Sequence, residues 1–135
     1  VPDQKLEEAL VQMDQKYVTT CTAGAGGSTA AFFVAMPRGD DEYDVQVANV
    51  GDSRVLIGRP TVGGIDVLVT TKDHKPDDKW ERDRIVSAGG KVRGGRVDGE
   101  FSVSRAFGDR DMKKNDAKPP REQKMIAVPD LQRLT

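Results

Sequence analysis

Gly51, Asp52, Ser53 and Arg54 set a carboxylate, a hydroxyl and a guanidinium between two apolar runs, residues 47–50 and 55–57. Ser53 could attack an electrophile only if a base took its proton. No histidine or lysine stands at a recognisable motif spacing from it, so Ser53 is expected to cap the turn. Arg54 is expected to pair with a nearby acid. Asp52 has an ordinary reading too, since Asp and Ser in a tight turn bond neighbouring amides and need no ligand. His74, in "DHKP", is the one histidine and is read as a loop residue bonding backbone near a helix start. Cys21 has no flanking positive cluster and is read as a structural thiol. Arg93 and Arg96 lie in "VRGGRV", where glycines leave both guanidinium groups free to approach a phosphate or an acidic peptide. A solvated basic loop is the other reading. Without interleaved aromatic residues the pair makes no nucleic-acid patch. Arg105 and Asp109 are expected to form a structural ion pair or to anchor turns.

The elements that must hold these residues follow from the periodicity. Leu6, Ala9, Leu10, Met13 and Tyr17 recur every three or four residues, which predicts a helix over 4–17 with that stripe turned inward and Asp3 as its N-cap. The glycine-rich stretch that follows reads as a loop. Strands are expected at 29–36, ending at Pro37, and at 43–50, where Val45, Val47 and Asn49 alternate with Asp44, Gln46 and Ala48. Two more are expected at 54–58 and 65–71. The connections are short and rich in turn formers, so successive strands should pair as antiparallel neighbours in a meander. A second helix is expected over 78–88, with acids at its start and Gly89 and Gly90 at its stop. It carries Trp80. Residues 112–124 read as polar and exposed, and a last short strand is expected at 125–128.

The 135 residues suffice for one domain with a buried core. With 21 basic and 22 acidic side chains the net charge is −1, so no global field favours nucleic acid or an anionic membrane, and neither partner is expected. No stretch approaches the roughly 20 apolar residues that cross a bilayer. One cysteine excludes an intrachain disulfide and points to a reducing, intracellular compartment, cytoplasmic or nuclear. The chain begins at Val1 rather than Met and stops just after "PDLQRLT", and it reads as cut from something longer.

Four strings stand in one order: "GGSTA" (26–30), "VANVGDSRVL" (47–56), "TKDHKPDDKWERDRIVSAGGKV" (71–92) and "RVDGEFSVSRAFGD" (96–109), trailed by "VPDL" (128–131). Together they resemble the central part of the metal-dependent protein serine/threonine phosphatases of the protein phosphatase 2C type. The resemblance implies an α+β fold, an antiparallel β-meander with flanking helices that forms part of a four-layer αββα sandwich. It implies hydrolysis of phosphoserine and phosphothreonine in phosphoprotein substrates, with two Mg²⁺ or Mn²⁺ ions between the sheets and a bridging water as nucleophile. By the same resemblance Asp52 is a ligand of an additional, weaker metal ion. Residues 91–109 match the family's flap, a mobile piece beside the cleft that is linked to substrate choice, with Arg96 at the position next to the cleft and Arg93 close by.

What the family carries elsewhere is missing here. Its upstream Asp-Gly-His-Gly, its downstream Asp-Gly in a strand turn and its terminal Asp-Asn do not occur, and the family's acid-base histidine and phosphate-binding arginine belong to upstream segments. Residues 1–135 are therefore expected to be the central portion of one catalytic domain. No catalytic residue is assigned, no tightly bound cation is expected, and the chain alone should be inactive. A non-catalytic phosphatase-like scaffold or regulator is the alternative. Unpaired sheet edges lead to an expectation of self-association, or of association with complementary segments of the parent.

Overall fold

The computed structural model describes all 135 residues. In chain order they form α1 (Asp3–Thr20), β1 (Gly27–Ser28), β2 (Ala30–Gly39), β3 (Glu42–Val50), β4 (Leu56–Thr61), β5 (Gly64–Thr70), α2 (Lys79–Ser87), β6 (Val92–Arg93), β7 (Arg96–Val97), β8 (Phe107–Gly108) and β9 (Asp130–Leu134). Short 3₁₀ turns lie at Arg110–Met112 and Pro120–Glu122. The class is α+β, with every paired strand antiparallel.

α1 is longer than its apolar spacing predicts, because the Thr19 and Thr20 hydroxyls donate back to the Gln15 and Lys16 carbonyls, each at 2.8 Å, and fit the last turn. The buried positions are Asp14 and Val18, while Met13 and Tyr17 of the expected stripe are exposed. Asp14 overrides the apolar pattern because it has partners inside. Its Oδ1 accepts from the Gly108 amide at 2.7 Å and its Oδ2 from Lys113 Nζ at 2.8 Å. Asp3 is not the N-cap either. It is the first helical residue, and its carboxylate accepts from Gln46 Nε2 at 2.6 Å and Arg133 Nε at 2.9 Å, which ties the start of α1 to β3 and β9.

The expected four-strand meander breaks after β3. β2 and β3 pair as a hairpin, β9 adds on the far side of β3, and β4 pairs only with β5. β2 also runs through Pro37 to Gly39, with a register shift between them. It is an edge strand, where a missing ladder donor is tolerated. β3 is the central strand, and its residues from Gln46 to Val50 are all buried, so the expected alternation gives way to a strand covered on both faces. Ile85, Met125, Val47, Val50 and Val97 are among the larger apolar side chains fully withdrawn from water.

α2 matches its expected span to within a residue, and Gly89 follows in the left-handed region, φ 88°. The stretch expected to be exposed at 112–124 is partly interior. Gln123 is buried, accepting from the Asn115 amide at 3.0 Å and donating to the Asn115 and Lys118 carbonyls at 2.8 Å each. Residues 125–127 are buried rather than forming the last strand, which instead begins at Asp130.

Candidate functional site

Two polar strings far apart in sequence close on each other. The Gly51 amide donates to His74 Nδ1 at 2.9 Å, and the His74 amide donates to the Gly51 carbonyl at 2.9 Å. Around this reciprocal pair, Lys75 Nζ donates to Asp52 Oδ2 at 2.6 Å and Arg54 Nη2 to Asp73 Oδ1 at 2.9 Å. The Thr71 and Val55 backbones complete the set, with Thr71 N donating to Val55 O at 3.1 Å and Val55 N to Thr71 Oγ1 at 3.0 Å. Residues 71–75 therefore fasten residues 51–55 along their length. Asn49 closes one end, its Nδ2 donating to the Gly51 and Lys72 carbonyls at 3.1 and 2.9 Å. Ser53 Oγ lies 2.7 Å from Thr29 Oγ1, so it fastens the turn to the residue that links β1 and β2 and has no base.

This arrangement explains why the chain sets polar residues between two apolar runs. The turn does not fold β3 back on β4; it leads the chain out of one sheet into a separate hairpin. Gly51 has φ 109°, and a Cβ there would run into the Thr29 side chain and lie 2.9 Å from the Arg105 carbonyl oxygen. The residue must be glycine both for conformation and for space.

Asp52 is about one-third exposed, and the Lys75 ammonium on it also donates to the Ser102 carbonyl at 3.3 Å. At such exposure the ion pair is worth at most about 1 kcal/mol. No group of three or more metal-ligating side chains surrounds Asp52 or gathers elsewhere in the chain. Hard cations such as Mg²⁺ take about six oxygens. Asp52 and its neighbours thus do not form a cation cage by themselves, and an ammonium already sits on the one carboxylate.

The two candidate arginines occupy a separate, small hairpin. β6 and β7 are joined by Gly94 and Gly95, both at positive φ (58° and 70°), as a tight two-residue turn requires. Arg93 and Arg96 are register partners, both exposed. Arg96 Nη1 donates to the Glu100 carbonyl at 2.8 Å; Arg93 makes no hydrogen bond or ion pair. The base of the hairpin is firm. Val97 is buried, and Asp98 accepts from the Lys91 amide at 2.9 Å and from Lys124 at 2.8 Å. The Lys124 hydrogen bond holds the Asp98 carboxyl below its usual range. Neither arginine hydrogen-bonds or ion-pairs with Asp52, and Gly95 of the hairpin lies near the Asp77 carboxylate.

Arg105 and Asp109 do not pair. Arg105 donates to Glu81 at 2.5 Å, to the Val128 carbonyl at 3.0 Å and to Asp130 at 3.3 Å. Glu81 is buried and also accepts from Arg84, whose guanidinium reaches the Ser104 and Gln123 carbonyls at 2.7 and 3.0 Å. Asp109 turns away in the left-handed region, φ 50°, to lie against Gly27. Burial pushes its carboxyl up.

His74 is buried and bonds the Gly51 peptide, not backbone at the start of α2. Lys75 and the hydrogen bonds of Asn49 were not expected; for Lys75 a signal exists, since "TKDHK" holds a basic residue for Asp52 and an acid for Arg54, in reverse order along the chain.

A family model described as Protein phosphatase 2C matches residues 1–135. Over 131 residues the chain is 40% identical to the probable protein phosphatase 2C 6 of Paramecium tetraurelia, covering 96% of this chain and 41% of that protein. Over 132 residues it is 38% identical to the probable protein phosphatase 1N of Mus musculus, covering 97% of this chain and 30% of that protein. A crystal structure of a phosphatase from a pathogenic strain of Toxoplasma gondii is similar at TM-score 0.76 and 28% identity, covering 98% of this chain and 54% of that one. The chain therefore spans less than half the length of these two curated relatives.

Proposed function

The chain belongs to the protein phosphatase 2C family, and we propose that the protein carrying it hydrolyses phosphoserine and phosphothreonine in phosphoproteins. Asp52 is one oxygen ligand of a Mg²⁺ or Mn²⁺ ion whose other ligands lie outside these 135 residues. The observation that supports this best is the fastened turn, in which four of the five residues 71–75 bond the segment that presents Asp52. A cation bound there has to displace the Lys75 ammonium. The β6–β7 hairpin serves peptide recognition through Arg96 and Arg93, and residues 1–135 act as the central portion of one catalytic domain. The single cysteine agrees with a cytoplasmic or nuclear setting, and no helix is long and apolar enough to cross a membrane.

The test compares two proteins on a phosphothreonine peptide across a Mn²⁺ titration. The full-length protein should turn over in a cation-dependent way and the 135-residue chain should not. In the full-length protein, Asp52→Ala should shift the cation response, and Arg96→Ala should lower kcat/KM on peptides. A full-length protein that binds phosphopeptides without hydrolysing them would replace the enzyme reading with the scaffold reading.

A further inference from the structure

His74 is among the most buried polar side chains of the chain, at 3% exposed, and its two ring nitrogens face different elements. Nδ1 accepts from the Gly51 amide at 2.9 Å. An accepting Nδ1 requires the neutral ring with its proton on Nε2. Nε2 lies 3.0 Å from Asp130 Oδ2, with no other partner and without a well-aligned hydrogen bond. Asp130 is the first residue of β9 and the register partner of Asn49, which itself bonds the Gly51 carbonyl. The imidazole is thus wedged between the turn that follows β3 and the strand that flanks β3.

We propose that His74 is a positioning residue for Asp52, fixing the Val50–Gly51 peptide plane through Nδ1 and taking its own orientation from Asp130. Gly51 joins two peptide planes, Val50–Gly51 carrying its N–H and Gly51–Asp52 carrying its carbonyl and leading to the Asp52 Cα, and its φ of 109° is one that glycine adopts freely, so contacts have to fix it. The His74 amide and the Asn49 side chain both bond the Gly51 carbonyl, while the imidazole alone holds its N–H. Removing the ring frees the Val50–Gly51 plane while the Gly51–Asp52 plane keeps its two bonds, so rotation about Gly51 is no longer fixed at both ends and the Asp52 side chain can shift away from Lys75. The proposal rests on the reading of Asp52 as the functional carboxylate, but its geometry holds whether or not a cation binds there.

The experiment is amide hydrogen exchange at Gly51 in the 135-residue chain, normalised to the Ile85 amide in α2, for wild type and for His74→Ala, His74→Asn and His74→Gln. The Asn amide oxygen occupies the place of Nδ1 and can accept from Gly51; the longer Gln places its polar end near Nε2. Loss of one hydrogen bond should speed local exchange about tenfold in the Ala and Gln variants, and Asn should return it to within about threefold of wild type. Equal exchange in all four proteins overturns the proposal, and so does a Gln variant protected better than the Asn variant. If the Ala variant does not fold, the Asn-against-Gln comparison decides alone. In the wild type, long-range ¹H–¹⁵N spectra should show the proton on Nε2, and a proton on Nδ1 overturns the assignment. None of these readouts involves a cation, so a failed cation response of Asp52→Ala would reject the ligand reading and leave this result standing.

Discussion

β3 and β5 have similar sequences, "EYDVQVANV" and "GIDVLVT", and opposite fates. Five consecutive residues of β3 are buried, whereas β5 buries Val69 alone and leaves Ile65 68% and Val67 55% exposed. The difference lies in neighbours. β3 has a strand on each side, while β5 pairs only with β4, whose Leu56 is also exposed. Apolar residues in a strand thus specify that a face needs covering without saying what covers it, and in β4–β5 nothing in the chain does.

If burial by neighbours is what separates the two regions, the largest effect should come from breaking the polar anchor behind the covered one. Glu81→Ala leaves Arg84 and Arg105 without their shared buried carboxylate and should cost about 3–5 kcal/mol, read as a large fall in the urea midpoint. A drop within about 0.5 kcal/mol would mean that the arginines find equal partners elsewhere. Acid should undo the same region progressively. Burial alone would raise the Glu81 carboxyl, but the bonds and charges of Arg105 and Arg84 outweigh it and hold it low. Asp130 is held low chiefly by His74, against the opposing effect of burial. With folded values below those of the unfolded chain, 4.5 for Glu and 3.8 for Asp, the unfolded state binds more protons as pH falls. Their contribution is complete above about pH 5 and is lost as pH drops through the folded values. Asp109, raised chiefly by burial, works in the opposite sense and loses its contribution as pH rises. Thermal melts from pH 6 to pH 3 should therefore show falling Tm, and a flat profile would contradict the assignment.

Val47→Ala comes next, at about 2 kcal/mol from lost burial and the cavity left behind. Val67→Ala, the matching change in β5, should stay within about 0.5 kcal/mol. Equal costs would erase the distinction between the two strands. The smallest effect on folding, and the most informative about the uncovered face, belongs to Ile65→Lys with Val67→Lys. The urea midpoint should barely move, while sedimentation velocity at tens of micromolar should shift from associating species towards the 14.7 kDa monomer. A wild-type chain that sediments as a monomer would show that the exposed hairpin recruits no second copy.

Periodicity, turn residues and charge spacing determined the local elements. α2 and its glycine stop and the β2–β3 hairpin lie close to where the sequence places them, because each is decided within a few residues. Four ordered strings were also enough to identify the family. Tertiary structure alone decided that β3 and β4 part company at Gly51, that Asp14 rather than Met13 and Tyr17 faces inward, and that Arg105 seeks Glu81 instead of Asp109. Each of these outcomes turns on a partner remote in sequence: Lys113 for Asp14, Glu81 for Arg105, and β9 together with residues 71–75 for the parting of β3 and β4. A buried polar group goes where its hydrogen bonds can be satisfied. Which distant residue satisfies them is a property of the folded chain, and that is why the pairing of Lys75 with Asp52 and of His74 with Gly51 is settled only in three dimensions.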